Sequence, residues 1–220
     1  MVMLLDVHKS FAARRGRLVI ADGITTRFPR GRATALMGRN GAGKSTLLAM
    51  IAGAIQPNSG QIFTDGTVSF PVGFAGSFHR DLTGAQNTRF IARVYGVDTD
   101  ALLDYVQEFA ALGRHIHMPV RTYSSGMRSR LAFGISMGIR FDTYLVDEVT
   151  SVGDRAFRRK SATVFADRMK NASAIVVTHS FPEARNLCDA GAIIDKGKLT
   201  FYNDIEEAID RHTHNMALAS

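Results

Sequence analysis

The chain has 220 residues, 45% apolar and 21% charged, with a net charge of +7 and a single cysteine, Cys188. That is one full-sized domain, or a core with a small inserted subdomain. An internal disulfide is excluded, a reducing compartment fits, and no run approaches the roughly 18 apolar residues that span a bilayer. The N-terminal MVMLLDVHKSF carries Asp6 early and has neither a basic leader nor a small-residue cleavage site, so a secretory signal is not expected. The basic residues are spread over 14–17, 27–32, 121–130, 155–160 and 196–198. This distribution suits a solvated surface as well as it suits nucleic acid, an anionic membrane or an acidic partner.

In chain order, MVMLLDVHKSF and RLVIADGITTRF read as strands forming an antiparallel piece, and ATALMG (33–38) as a short buried strand. STLLAMIAGAI (45–55) has helical period and is closed by Pro57 and Gly60, and TVSFPVG (67–73) reads as a further strand. From 81 to 138 the pattern becomes mainly helical, with LTGAQNTRFIARVYG and TDALLDYVQEFAALG as two helices. Then TYLVDE, SAIVVTHS and AGAIIDKGKLTFY return to strands, the last a hairpin turning at Lys196-Gly197. The stretch 204–217 is helical in character, with His212 and His214 expected to be solvated. Alternating strands and helices predict an α/β protein with a largely parallel sheet, and the helical middle reads as an insertion at about 78–138 in a single domain spanning 1–220.

Gly38-Arg39-Asn40-Gly41-Ala42-Gly43-Lys44-Ser45 fits the P-loop pattern, followed by Thr46. Its glycines let successive amide N–H groups surround phosphate oxygens. Lys44 would reach the β- and γ-phosphates, and the Ser45 hydroxyl would ligate Mg²⁺. The preceding strand and following helix supply the context the motif needs, with the helix dipole on the phosphates. A polyphosphate ligand and Mg²⁺ are therefore expected. Tyr144-Leu145-Val146-Asp147-Glu148 is an apolar strand ending in paired acids. Asp147 would hold the metal, and Glu148 would act as general base on the attacking water. His179 ends the strand Ile175–Thr178 and, at the same sheet edge, could hydrogen-bond the γ-phosphate and that water.

One stretch is odd. Tyr123-Ser124-Ser125-Gly126-Met127-Arg128-Ser129-Arg130 precedes an apolar stripe at Met127, Leu131, Ile135 and Ile139, so it reads as a helix start. Arg128 and Arg130 stand where acidic side chains would suit the dipole better. Bare amides, hydroxyls and positive charge suit an anion with no nearby source.

With these sites in this order the chain resembles the ATP-binding subunits of ABC transporters, over nearly all its length. The resemblance implies a RecA-like core with an N-terminal antiparallel β subdomain and an inserted α-helical subdomain. It also explains the odd stretch: Ser124, Ser125 and Gly126 fall in the motif that binds the γ-phosphate of ATP held by the other subunit of a homodimer. Tyr123 stands for the usual Leu, Met127 for Gln, and Ser125 for a Gly, so that Ser125 adds a Cβ and narrows the backbone angles. Phe11 falls where the family stacks an aromatic on adenine, Ser151–Asp154 where a loop meets the opposite subunit, and His179 on the switch histidine. The family's glutamine expected near Phe74 is missing. FPVGFAGSFHRDLTGAQNTRFIARVYG (70–96), with TYSSGMRSRL and VDEVTSVGD, further resembles ATPases that export capsular polysaccharide, and more broadly polysaccharides and polyol phosphates, in bacteria.

That resemblance implies a polytopic membrane permease as partner, polysaccharide cargo handled through it, no nucleic acid, and a peripheral place on the cytoplasmic face of the inner membrane. The chain ends soon after the last core elements, so the carbohydrate-binding C-terminal domain of some O-antigen exporters is not expected. Three other readings use the same phosphate loop. An ABC exporter of another cargo would use the same catalytic residues. An ABC-type ATPase acting on ribosomes or DNA would suit the basic surface, but such proteins carry two ATPase domains or long coiled coils. A P-loop kinase or GTPase would leave the histidine and serine-glycine motifs unexplained.

Overall fold

The computed structural model describes residues 1–13, 16–72, 78–147 and 155–218. Two compact units emerge, one comprising Met1–Pro71, Phe141–Glu148 and Met169–Ser220, the other Val72–Arg140 and Val149–Arg168.

The first unit holds two sheets. Strands β1 (Val2–Ala13) and β2 (Gly16–Phe28) pair antiparallel, and β4 (Ser59–Thr64) adds to the far edge of β1 in the order β2-β1-β4. The second sheet has the order β5-β6-β3-β7-β8, from β3 (Ala33–Met37), β5 (Thr143–Asp147), β6 (Ser173–Val177), β7 (Ala190–Asp195) and β8 (Lys198–Tyr202). Its first four strands are parallel and β8 is antiparallel. As expected of parallel strands covered on both faces, β3 and β6 are buried at every residue. The β7–β8 turn is the two-residue hairpin expected at Lys196-Gly197, with φ of 46° and 79° as a type I′ turn requires.

Helix α1 (Lys44–Ile51) contributes Leu47, Leu48, Met50 and Ile51 to one core. That core also takes Leu4, Val7 and Ile24 from the antiparallel sheet and Leu36, Leu145, Ile175 and Ile194 from the parallel one. A helix serving two sheets must be apolar around most of its circumference, which the sequence LLAMI supplies. Helices α6 (Phe181–Leu187) and α7 (Ile205–Leu218) complete the unit.

The second unit contains α2 (Gly84–Val94), α3 (Thr99–Ala110), 3-10 turns at Gly113–His117 and Val120–Thr122, and α4 (Ser125–Gly138). Helix α5 spans Arg155–Met169, all but its last residue in this unit. Thr83 and Gln86 form a reciprocal capping box at the start of α2, and Asp98 caps α3. Its core is aromatic: Phe109 stacks on Phe133 at 5.8 Å and meets the edge of Phe157 at 5.4 Å. At Gly138 a Cβ would collide with Leu102, so the glycine is what lets α3 and α4 approach.

One expectation of the sequence fails. Over its described residues, 67–72, TVSFPVG is not a strand: Val68 makes an isolated bridge to Thr143, and Ser69 accepts from Leu145 N through Oγ at 2.9 Å. The strand that was missed is β4, whose residues are mostly exposed and therefore show no apolar alternation. No helix among the described residues is long and apolar enough to cross a membrane.

Candidate functional site

Parallel pairing sets the site. Register places Leu36 of β3 beside Val177 of β6, and Val177 beside Asp147 of β5, so the C-terminal ends of three strands reach one edge. The phosphate loop leaves the end of β3, Asp147 closes β5, and His179 lies just past the end of β6. Loop residues Asn40, Gly41, Gly43, Lys44, Ser45 and Thr46, together with Asp147 and His179, line one cleft of about 460 Å³. Leu18, Ile20 and Val177 form its apolar wall.

The loop conformation depends on glycine. Gly43 has φ of 102°, and a Cβ there would lie 2.5 Å from Ile20 Cγ2. At Gly38 a Cβ would collide with the Ile194 carbonyl. Between them, Ala42 N donates to Arg39 O at 3.1 Å, closing the turn. Gly43 is the N-cap of α1 but offers no side-chain cap, and the first turn carries no acid, so the helix presents its opening amides and positive dipole end. Lys44 is 7% exposed and donates to Gly38 O at 2.8 Å and Arg39 O at 3.1 Å. Loop amides, a helix terminus and an ammonium thus meet at the base of the cleft, an arrangement fit for polyphosphate. The Ser45 hydroxyl and Asp147 carboxylate, both on the cleft, are hard oxygen donors. Among the described residues no cluster of three or more His, Cys, Asp or Glu could hold a metal. Mg²⁺ suits this set, since it is commonly held by one or two protein oxygens together with substrate phosphates.

Phe11 lies on β1 opposite Leu18, 39% exposed, with Lys9 Nζ 5.0 Å from its ring centroid. It does not itself line the cleft, but its cross-strand partner Leu18 does. Glu148, the segment Ser151–Asp154 and the position near Phe74 lie outside the described residues.

Ser124, Ser125 and Gly126 belong to the other unit. Ser124 is the N-cap of α4 and its Oγ accepts from Met127 N at 3.2 Å. Ser125 opens the helix without a positive φ, so its Cβ is accommodated there. The two arginines are engaged within this unit: Arg128 Nη1 donates to Tyr123 O at 2.6 Å, and Arg130 sits 5.1 Å over Phe157.

Sequence reasoning missed the supports. Thr178 Oγ donates to the Glu183 carboxylate at 2.5 Å and accepts from Ser180 N at 3.1 Å, bracing the turn that carries His179. The Ser180–Glu183 spacing, a capping-box pattern, was the available signal. His212 is also not the solvated residue expected: it is half-buried and meets Phe181 edge to face at 6.1 Å. Burial first, then the charges of Lys44 and His179, hold its pKa below the ordinary 6.5. The native state therefore resists protonation there, and stability should fall as pH drops through and below about 6.5. His212→Phe is expected to flatten that part of a thermal-melting profile between pH 7.5 and 5.5; an unchanged slope would show that His212 carries no linkage.

A family model described as "ABC transporter" matches residues 21–151. The chain is 42% identical over 215 residues to the polysialic acid transport ATP-binding protein KpsT of Escherichia coli, covering 96% of each. It is 38% identical over 210 residues to the capsule polysaccharide export ATP-binding protein CtrD of Neisseria meningitidis serogroup B, covering 96% of this chain and 97% of that one. Among solved structures, the ATP-binding cassette MJ0796, in a dimeric post-hydrolysis state bound to ADP and Pi, superposes with a TM-score of 0.78 at 19% identity, over 93% of this chain and 99% of that one. These relatives do not favour the ribosome or DNA reading. Family match, full-length kinship and fold agree that this chain belongs to the ABC transporter family, as one of its ATP-binding cassettes.

Proposed function

We propose that the chain is the ATP-hydrolysing subunit of an exporter that moves capsular or another cell-surface polysaccharide across the bacterial inner membrane. One observation carries this: Lys44, Ser45, Asp147 and His179 line a single cleft in a chain that matches polysaccharide-export ATP-binding proteins over nearly its full length. The loop amides and Lys44 bind the triphosphate, and Phe11 packs on adenine at the rim. Ser45 and Asp147 would hold Mg²⁺, which neutralises phosphate charge and orients the triphosphate. Glu148 takes the proton of the attacking water, and His179 hydrogen-bonds that water and the γ-phosphate. Two copies close over two ATP molecules, with Ser124, Ser125 and Gly126 of each touching the nucleotide of the other. Hydrolysis opens the pair, and only the difference in ATP affinity between open and closed pairs can drive the membrane subunit.

The permease would engage segment 74–96, where α2 exposes Phe90 and Val94, 60% and 62% accessible. An apolar face of this kind calls for a partner more than a solvated helix does. Attachment to that permease would hold the chain on the cytoplasmic face of the membrane, as a single cassette spanning 1–220. Deleting the chromosomal copy tests the cargo. Polysaccharide should accumulate inside the cell and vanish from its surface; normal surface polysaccharide would overturn the export assignment.

A further inference from the structure

Tyr123 stands immediately before Ser124, the N-cap of α4. The ring is nevertheless 3% exposed, and the hydroxyl donates to His115 O at 2.5 Å. Gly84, first residue of α2, packs against the same hydroxyl oxygen. Burial keeps the phenol pKa above its ordinary 10.0, so the proton stays in place as donor. A Cβ at Gly84 would collide with this hydroxyl. From the other side, Arg128 Nη1 reaches back from α4 to the Tyr123 carbonyl at 2.6 Å. The start of α2 is itself fixed, because buried Asn87 accepts from His79 N at 2.9 Å and donates to Thr83 O at 3.0 Å. A leucine at 123 could fill the space but could not make the hydrogen bond to His115.

We propose that Tyr123 is a positioning residue for hydrolysis: its hydroxyl, bonded to His115 O and packed against the first residue of α2, holds the turn that presents Ser124 and Gly126 against that helix start, so that the exposed face of α2 and the phosphate-contacting turn move as one. This rests on the reading of Ser124 and Gly126 as contacts to the partner subunit's nucleotide. Helix α2 carries Phe90 and Val94 on its surface, so pressure applied there has a short route to Ser124 through the contact between Gly84 and Tyr123. A phosphate contact displaced by about 1 Å loses much of its catalytic value.

The test compares steady-state ATP hydrolysis by the full chain, wild type, Tyr123→Phe, Gly84→Ala and the double variant, with Ser124→Arg alongside. Binding of trinitrophenyl-ATP is measured in parallel. Tyr123→Phe keeps the ring and the packing; it should lower kcat about tenfold, the scale of one lost hydrogen bond, with KM and the fluorescent nucleotide's affinity little changed. Alanine is the better helix former, so Gly84→Ala should lower kcat only by pushing on the hydroxyl. In the Tyr123→Phe background that collision is gone, leaving contacts to Ile116 at 3.1 and 3.2 Å, so the second substitution should add little. Wild-type kcat in Tyr123→Phe, fully additive effects, or a parallel loss of kcat and nucleotide affinity would each overturn the positioning role. Normal hydrolysis by Ser124→Arg would instead remove the reading on which it rests.

Discussion

Glu148→Gln is expected to lower ATP turnover by about 10²–10⁴-fold, the contribution of a well-placed general base, and to trap a stable ATP-bound dimer. Glutamine matches the size of the carboxylate but cannot accept the proton of the attacking water. Nothing else in the proposed scheme depends on that proton, so triphosphate still binds and still draws two copies together. In that scheme hydrolysis reopens the pair, so its loss should move the chain into the dimer fraction on gel filtration with ATP, and back to monomer when ATP is removed. Hydrolysis at the wild-type rate would end the assignment of Glu148 as base.

Lys44→Ala should fail earlier, at binding. Lys44 is almost wholly buried and its ammonium lies over the loop, bonded to the Gly38 and Arg39 carbonyls. Hydrogen bonds to charged groups are worth about 1.5–3 kcal/mol each, so two of them hold the lysine at the base of the phosphate site. Without it the β- and γ-phosphates lose their fixed positive charge in a partly desolvated cleft. ATP affinity should fall at least about a hundredfold and hydrolysis become undetectable. Nucleotide titration separates the two variants: Glu148→Gln binds and does not turn over, whereas Lys44→Ala does neither. Unchanged affinity in Lys44→Ala would place the nucleotide elsewhere.

The parts of this molecule legible in the sequence are those where one local pattern forces one local geometry. Gly38 to Gly43 followed by Lys44 and an apolar helix could be read as a phosphate loop because only glycine tolerates those backbone angles and contacts. Lys196-Gly197 could be read as a hairpin for a similar reason. Strand β4 was hidden because an edge strand buried on neither face has no alternation to display; among its residues only Ile62 is even half-buried. TVSFPVG misled in the opposite way, its apolar residues filling space beside β5 with Pro71 unable to extend a ladder. Arg128 and Arg130 looked like anion ligands because their partners, a carbonyl five residues back and Phe157 on another helix, are products of the fold. The same holds for Tyr123 and His212, whose partners His115, Gly84 and Phe181 meet them only in three dimensions.

The central claim is that this ATPase powers a membrane exporter. It is tested most directly by gentle affinity purification of the tagged chain from native membranes in mild detergent, with identification of the molecules that accompany it. A polytopic membrane subunit in equal amount, with polysaccharide bound to it, is the predicted result. Ribosomes or DNA in place of any membrane subunit would contradict the claim and leave only the ATP site standing.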